Sequence, residues 1–347
     1  MQKSLTDMAK HLKSIVLPKT IETYVVKPMF NDISNDENIR EGVLAFRAFL
    51  HRLCDALIAE CDSYNIPTKT NVEHGSAIYC DFPFLDNIKK ILLHIGLNGD
   101  LTKDAQLLIS GNSITDIKLS NVKIIQCMKF LTGCGLFFDG INLDIKRQKI
   151  SEIETIYISY PDNTAMLVGL KTMALAELRL GTTRNQNIFM RCDYRMLTDK
   201  DADVLTILNE TIQPLSANVQ DFVLRLHQIH LDYKLNCTVE IRGYWIKIKY
   251  SRGKKEVWGI NTSLNNGFEI TAKPLNTQKY TDTIIQFPLA LQELITKGYG
   301  CGRKRAGIGK CDSGCEGIRL PLSDAILDIS DSVETWFDKE LSCFAKK

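Results

Sequence analysis

The spacing of apolar residues changes along this chain, and that change constrains the fold more than any other feature. Over most of the chain before Cys237, apolar side chains recur every three to four positions, as helices that bury one face require. Leu5, Met8, Ala9, Leu12 and Ile15 form the first stripe, stopped at Leu17-Pro18. Val43, Phe46, Leu50, Leu53, Leu57 and Cys61 form a longer one between Asn38 and Ser63. From Cys237 the period falls to two, predicting strands at Cys237–Arg242, Tyr244–Tyr250, Glu256–Asn261 and Phe268–Lys273. Ser251-Arg252-Gly253-Lys254 and Asn265-Asn266-Gly267 supply the turns of an antiparallel meander. The expected class is α+β: a helical N-terminal region over 1–75, a mixed α/β region over 76–214, and over 215–347 an antiparallel sheet backed by helices.

In the middle region, helices are predicted over Leu85–Ile95, closed by Gly96 and Gly99, and over Ser120–Thr132, opened by Ser120 and closed by Gly133. Strands at Gly135–Leu143 and Glu154–Tyr160 follow, then a helix carrying Met166, Leu167, Leu170, Met173, Ala174 and Leu178. This order permits a winged helix, with Ser120–Thr132 as recognition helix and Gly135–Tyr160 as wing. Against it, that helix offers only Lys123 and Lys129 as cations, so packing is the preferred role. Further helices are expected at Thr198–Thr211, Ser216–Tyr233, Leu289–Lys297 and Ser330–Leu341, with a short strand at Gly317–Leu320 and a boundary near Pro214.

At 347 residues with 44% hydrophobic and 24% charged, the chain can bury a large core and lies outside the composition of disordered proteins. A net charge of +2 sets up no global field that would make nucleic acid or an anionic membrane the default partner. Lys3, Asp7, Lys10 and Lys13 interrupt the start, and no run approaches the roughly 20 apolar residues of a membrane span, so a soluble cytoplasmic protein is expected. In that setting the 11 cysteines are not expected to form a disulfide framework; eight sit apart, several on apolar faces where a free thiol packs as a small hydrophobe.

Three of those cysteines, Cys301, Cys311 and Cys315, fall within fifteen residues of a glycine-rich loop. Thiolates bind zinc tetrahedrally, and a C-x3-C pair on a turn can place two sulfurs on one ion with Cys301 as a third. The fourth ligand is not adjacent; Cys343, Cys192, His227 and His230 are the remote options. No general base lies near, which favours a structural over a catalytic site. Arg303, Lys304, Arg305 and Lys310 alternate with glycines in the same loop and could converge on a phosphate or carboxylate, although the pattern fails as a P-loop because Lys310 precedes a cysteine.

Between Val239 and Lys310, thirteen Lys or Arg face five Asp or Glu, so the basic stretch coincides with the predicted sheet. There Ile246, Ile248 and Tyr250 share one face, and Trp245, Lys247 and Lys249 the other, where an aromatic beside cations can stack a base. A solvated face whose lysines oppose aggregation is the commoner outcome of such a pattern. His227 and His230 sit i, i+3 on a helix and read as surface residues. Arg191-Cys192-Asp193-Tyr194-Arg195 places two guanidiniums beside a thiol, an arrangement able to lower its pKa and bind an anion, although no base can be assigned. Neither zincin nor serine-hydrolase motifs occur.

The pieces Tyr244-Trp-Ile-Lys-Ile-Lys-Tyr, Gly253-Lys-Lys, Gly267-Phe-Glu-Ile, Phe287-Pro-Leu, Gly298-Tyr-Gly and Gly317-Ile-Arg-Leu-Pro resemble uncharacterised bacterial α+β domains of the YdhG and YjbR type. The resemblance covers 216–347, implies a curved antiparallel sheet backed by helices, and carries no catalytic residue. The cysteine loop departs from that pattern. The leading functional expectation is a non-enzymatic binding module with zinc held by Cys301, Cys311 and Cys315, ordering Arg303, Lys304, Arg305 and Lys310 for a small anionic ligand or a protein partner. An enzyme using a reactive cysteine on a small anion is the first alternative, and a nucleic-acid-binding protein the second.

Overall fold

The computed structural model describes residues 3–17, 23–60, 69–72, 78–145, 148–180, 187–199, 203–274, 276–297 and 318–345. They form an α+β protein whose contacts divide it into two compact units, Met1–Thr70 with Cys80–Asp201, and Asn71–Tyr79 with Ala202–Lys347. Among the described residues, no helix is long and apolar enough to cross a membrane.

The first unit opens with α1 (Leu5–Ile15), started by a capping box in which Ser4 and Asp7 each accept from the other's backbone amide. Helix α2 (Asp36–Ala59) follows, its first turn closed by Asn35 Oδ1 on the Asn38 amide at 2.9 Å. Strands β1 (Lys69–Val72) and β2 (Ile78–Asp81) form a two-stranded sheet whose residues 71–72 and 78–79 are assigned to the second unit. Next come α3 (Pro83–Asn98), β3 (Asp100–Leu101), β4 (Leu107–Ile109), α4 (Gly111–Thr115), α5 (Asn121–Gly133), β5 (Phe137–Asp139) and β6 (Ile156–Ser159). The four strands β3 to β6 pair antiparallel in the order β3-β4-β6-β5, so β4, which precedes α4, lies beside the last strand. Helices α6 (Ala165–Leu180) and α7 (Ile188–Arg191) complete the unit.

Helix α6 is apolar around most of its circumference, and it packs against both α2 and α3. Its contact with α2 is backbone to backbone: a Cβ on Gly169 would lie 1.9 Å from the Gly42 carbonyl oxygen, so only hydrogen fits at that crossing.

In the second unit, α8 (Val204–Ile212) and α9 (Ala217–Asp232) lead into β7 (Asn236–Arg242), β8 (Trp245–Arg252), β9 (Lys255–Ser263) and β10 (Gly267–Ala272). After α10 (Thr281–Ile284) and α11 (Leu289–Lys297), β11 (Ile318–Pro321) joins the edge of a five-stranded antiparallel sheet ordered β11-β10-β9-β8-β7, and α12 (Ser330–Ala345) closes the chain. One sheet face is the core. Tyr250 stacks on Trp258 at 3.8 Å between ring centroids, and Trp258 on Phe337 of α12 at 5.1 Å, while α8 adds Leu208 and Ile212. Buried Glu340 of α12 accepts from Tyr280 Oη at 2.6 Å and from the Asn276 amide, which satisfies a carboxylate that would be costly to bury alone.

Several elements differ from the sequence expectation. The helix expected from Thr198 begins at Val204, because Asp203 Oδ1 takes the Thr206 amide at 2.8 Å and makes the cap, while Tyr194–Leu197 is a separate short turn of helix. The strand expected over Gly135–Leu143 is confined to Phe137–Asp139. Strands β3 and β4 and helix α4 are too short to leave a periodic signal.

The glycine crossing yields a direct expectation. Gly169→Ala lowers stability by about 3 kcal/mol in chemical denaturation, since backbone on both sides leaves nothing to repack. A loss below about 0.5 kcal/mol would show that α2 and α6 do not meet there.

Candidate nucleic-acid interface

Helix α5 is positioned by what it buries. Ile124, Ile125, Cys127, Met128, Phe130 and Leu131 face inward, and Phe130 meets Phe84 of α3 edge-on at 5.4 Å. The opposite side carries Val122, Lys123 and Lys129, all exposed, with Asn121 and Gln126 half-buried. The turn from α4 into α5 passes through Lys118, which holds a left-handed backbone (φ 58°) and leaves its side chain exposed.

Two contacts fasten the β5–β6 loop to α5. Asn121 Nδ2 donates to the Gln148 carbonyl at 2.8 Å, and Lys129 Nζ pairs with Asp144 Oδ1 at 2.9 Å. Lys129 holds the exposed Asp144 carboxyl below the usual range by hydrogen bond and charge. The far end of the loop is pinned on α4. The Gly111 amide donates to the Ile153 carbonyl at 2.9 Å, and a Cβ on Gly111 would lie 1.8 Å from the Ile150 carbonyl oxygen. His94 Nε2 and Ser113 Oγ, 3.0 Å apart, join α3 to α4. Helix, turn, helix and loop are thus one surface, and from Ser110 to Lys149 the sequence carries six Lys or Arg against three Asp.

The other candidates fall elsewhere. Cys301, Cys311, Cys315, Arg303, Lys304, Arg305 and Lys310 lie outside the described residues. Among the described residues, no group of three or more His, Cys, Asp or Glu is arranged to hold a metal.

Cys192 is overturned as an activated thiol. It is fully buried, its Sγ donates to the Val43 carbonyl at 3.4 Å, and burial pushes the thiol well above its ordinary pKa. The flanking guanidiniums serve Asp193 instead. Arg195 Nε reaches Oδ1 at 2.7 Å and Arg191 Nη2 reaches Oδ2 at 3.3 Å. Burial alone would raise that carboxyl, but the two arginines outweigh it and hold it at about 2.

His227 and His230 are core residues, not surface ones. His227 Nδ1 and Tyr250 Oη are 2.9 Å apart, the two imidazole centroids are 4.3 Å apart, and His230 Nδ1 meets the His227 carbonyl. Their Nδ1 atoms are engaged inside the α9–sheet core.

The second face of the C-terminal sheet is neither open nor a field of free lysines. Lys247 is buried with its Nζ 2.6 Å from Glu256 Oε1; Lys273 reaches Glu256 Oε2 at 3.1 Å; Lys249 pairs with Glu240; Arg319 pairs with Glu269 at 2.9 Å. Asn261 Nδ2 donates to that same Glu269 at 2.6 Å. Cations matched by carboxylates on their own face leave little field for phosphate.

Of the interface residues, Lys123 and Lys129 are the ones that composition points to. Val122, Gln126 and Lys118 were missed, although Val122 and Gln126 lie i, i+4 on the helix and so share a face. No family model, curated protein or solved structure matches the chain.

The buried imidazoles predict an acid response. Burial, followed by the neighbouring His230, pushes His227 down to about 4 from an ordinary 6.5, against a smaller opposing pull from Asp203. The unfolded chain therefore takes up its proton first, so this contribution is complete above pH 6.5 and is lost as pH falls toward 4. Urea midpoints fall across that window, and fall less in His227→Gln, which keeps a polar partner for Tyr250 without titrating. Equal falls in both proteins would assign the loss to other groups.

Proposed function

We propose that residues 83–159 form a winged helix that binds duplex DNA, with α5 in the major groove and the β5–β6 loop as the wing along the neighbouring backbone. The observation that carries this is connectivity. Helix, strand, strand, helix, helix, strand, strand, with β4 beside the last strand in the β3-β4-β6-β5 sheet, leaves one face of α5 outside the core and places a loop next to it. The exposed Lys118 and Lys123 beside that face support the same reading. So does the fastening of loop to helix, because a reading helix and a backbone-contacting loop must keep a fixed register.

The test is a salt titration. Binding of a generic duplex of about 20 base pairs, followed by anisotropy, should fall with log[salt] at a slope of about −2 or steeper if Lys118 and Lys123 each neutralise a phosphate. Lys118→Ala and Lys123→Ala should each reduce the slope by about 1. No binding at about 50 mM salt would end the proposal.

The cysteine spacing supports a second reading, in which Cys301, Cys311 and Cys315 hold a structural zinc that orders Arg303, Lys304, Arg305 and Lys310 for an anionic partner. Protein purified without added metal should then carry about one equivalent of zinc and lose it in Cys311→Ser. Less than about a tenth of an equivalent, unchanged by that substitution, would remove it.

A further inference from the structure

The side chains on the outer side of α5 divide into those already committed and those left for a ligand. Asn121 is spent on the Gln148 carbonyl and Lys129 on Asp144. Among the described residues, Val122, Lys123 and Gln126 have no hydrogen-bond or ion-pair partner. Val122 is the odd member of this set. It is 47% exposed and sits in the first turn of α5, where a β-branched aliphatic gains nothing from capping and little from helix propensity.

We infer that α5 selects A·T-containing duplex, with Val122 seated on a thymine 5-methyl group and Gln126 bonded to an adenine about two base pairs away. This rests on the duplex-DNA reading of the same surface. In the major groove the thymine methyl is the one apolar group on a base edge, and an aliphatic side chain is its natural contact. A glutamine carboxamide matches the N6 donor and N7 acceptor of adenine. Four residues of helix rise about 6 Å, and bases stack at about 3.4 Å, so side chains at i and i+4 reach pairs about two steps apart. Lys118, in the turn before α5, and Lys123, next to Val122, are both exposed and suit neighbouring phosphates. An acidic protein surface would suit those two lysines but would leave Val122 facing charge.

The experiment compares three duplexes of about 20 base pairs at one salt concentration: alternating A·T, the same duplex with deoxyuridine in place of thymidine, and alternating G·C. Removing one buried methyl costs roughly 0.8 kcal/mol, so the thymine duplex should bind about fourfold more tightly than the deoxyuridine duplex. In Val122→Ala, that thymine–uracil difference should disappear. In Gln126→Ala, the preference for A·T over G·C should shrink while the thymine–uracil difference persists. Circular dichroism checks that both variants are folded. Equal affinity for the thymine and deoxyuridine duplexes, with duplex binding intact, overturns this inference and leaves the DNA reading standing. Failure to bind any of the three overturns the DNA reading itself.

Discussion

The first unit depends on a helix that has almost no wet face. Helix α6 buries Met166, Leu167, Leu170, Met173, Ala174 and Ala176, and it meets α2 where both helices carry glycine and their backbones touch. Close approach without side chains brings many dispersion contacts into a small area and fixes the crossing point, since sliding either helix by one residue would drive a Cβ into a carbonyl. Helix α6 packs on α3 as well, and α3 holds α5 through Phe84 and Phe130, so α5 is tied through α3 to the same core.

The second unit solves a different problem, which is how one sheet can have an apolar face and a heavily charged one that is also half-hidden. On the apolar side, Tyr250, Trp258 and Phe337 stack in a continuous series. On the other, Lys247 and Lys273 pair with Glu256, and Glu269 takes an ion pair from Arg319 and a hydrogen bond from Asn261. Glu256 offsets only part of the cost of desolvating Lys247, since burial still pushes that ammonium below its ordinary pKa against the pull of the carboxylate. The thirteen-to-five excess of basic residues read along the sequence is therefore a poor guide to the field at this surface. The acids that answer the lysines sit across the ladder, where composition along one strand does not register them.

The same distinction separates what could be read in the sequence from what could not. Helix α11 has the bounds its pattern announces, Leu289–Lys297, and the strands of the meander lie within two residues of expectation, because period and turn residues are local properties. His227 and His230 were misplaced because Arg225 and Asp232 suggested a wet helix face, whereas the tertiary partner Tyr250 lies 23 residues away from His227. Cys192 was misjudged for a related reason. Two nearby arginines suggested an activated thiolate, but the chain spends both on Asp193 and turns the sulfur toward Val43. Around α5 the cations were legible and the strand order was not. Strands β3 and β4 have two and three residues, and pairing partners across a sheet leave no mark in either segment alone.

A near-neutral chain places a definite demand on any interface it offers to DNA. With a net charge of +2 and only a small positive excess between Ser110 and Lys149, few phosphates can be neutralised, so the sequence-independent part of the affinity is small and falls quickly with salt. Discrimination must then come from base edges, where each good contact contributes on the order of 1–3 kcal/mol and salt matters little. The ion pair between Lys129 and Asp144 fits that demand. It removes a cation from the groove-facing stripe and spends it on holding the loop, exchanging non-specific attraction for a fixed register between helix and loop. Such a surface would bind most sequences weakly and a few well, because its selectivity rests on uncharged side chains held rigidly in place.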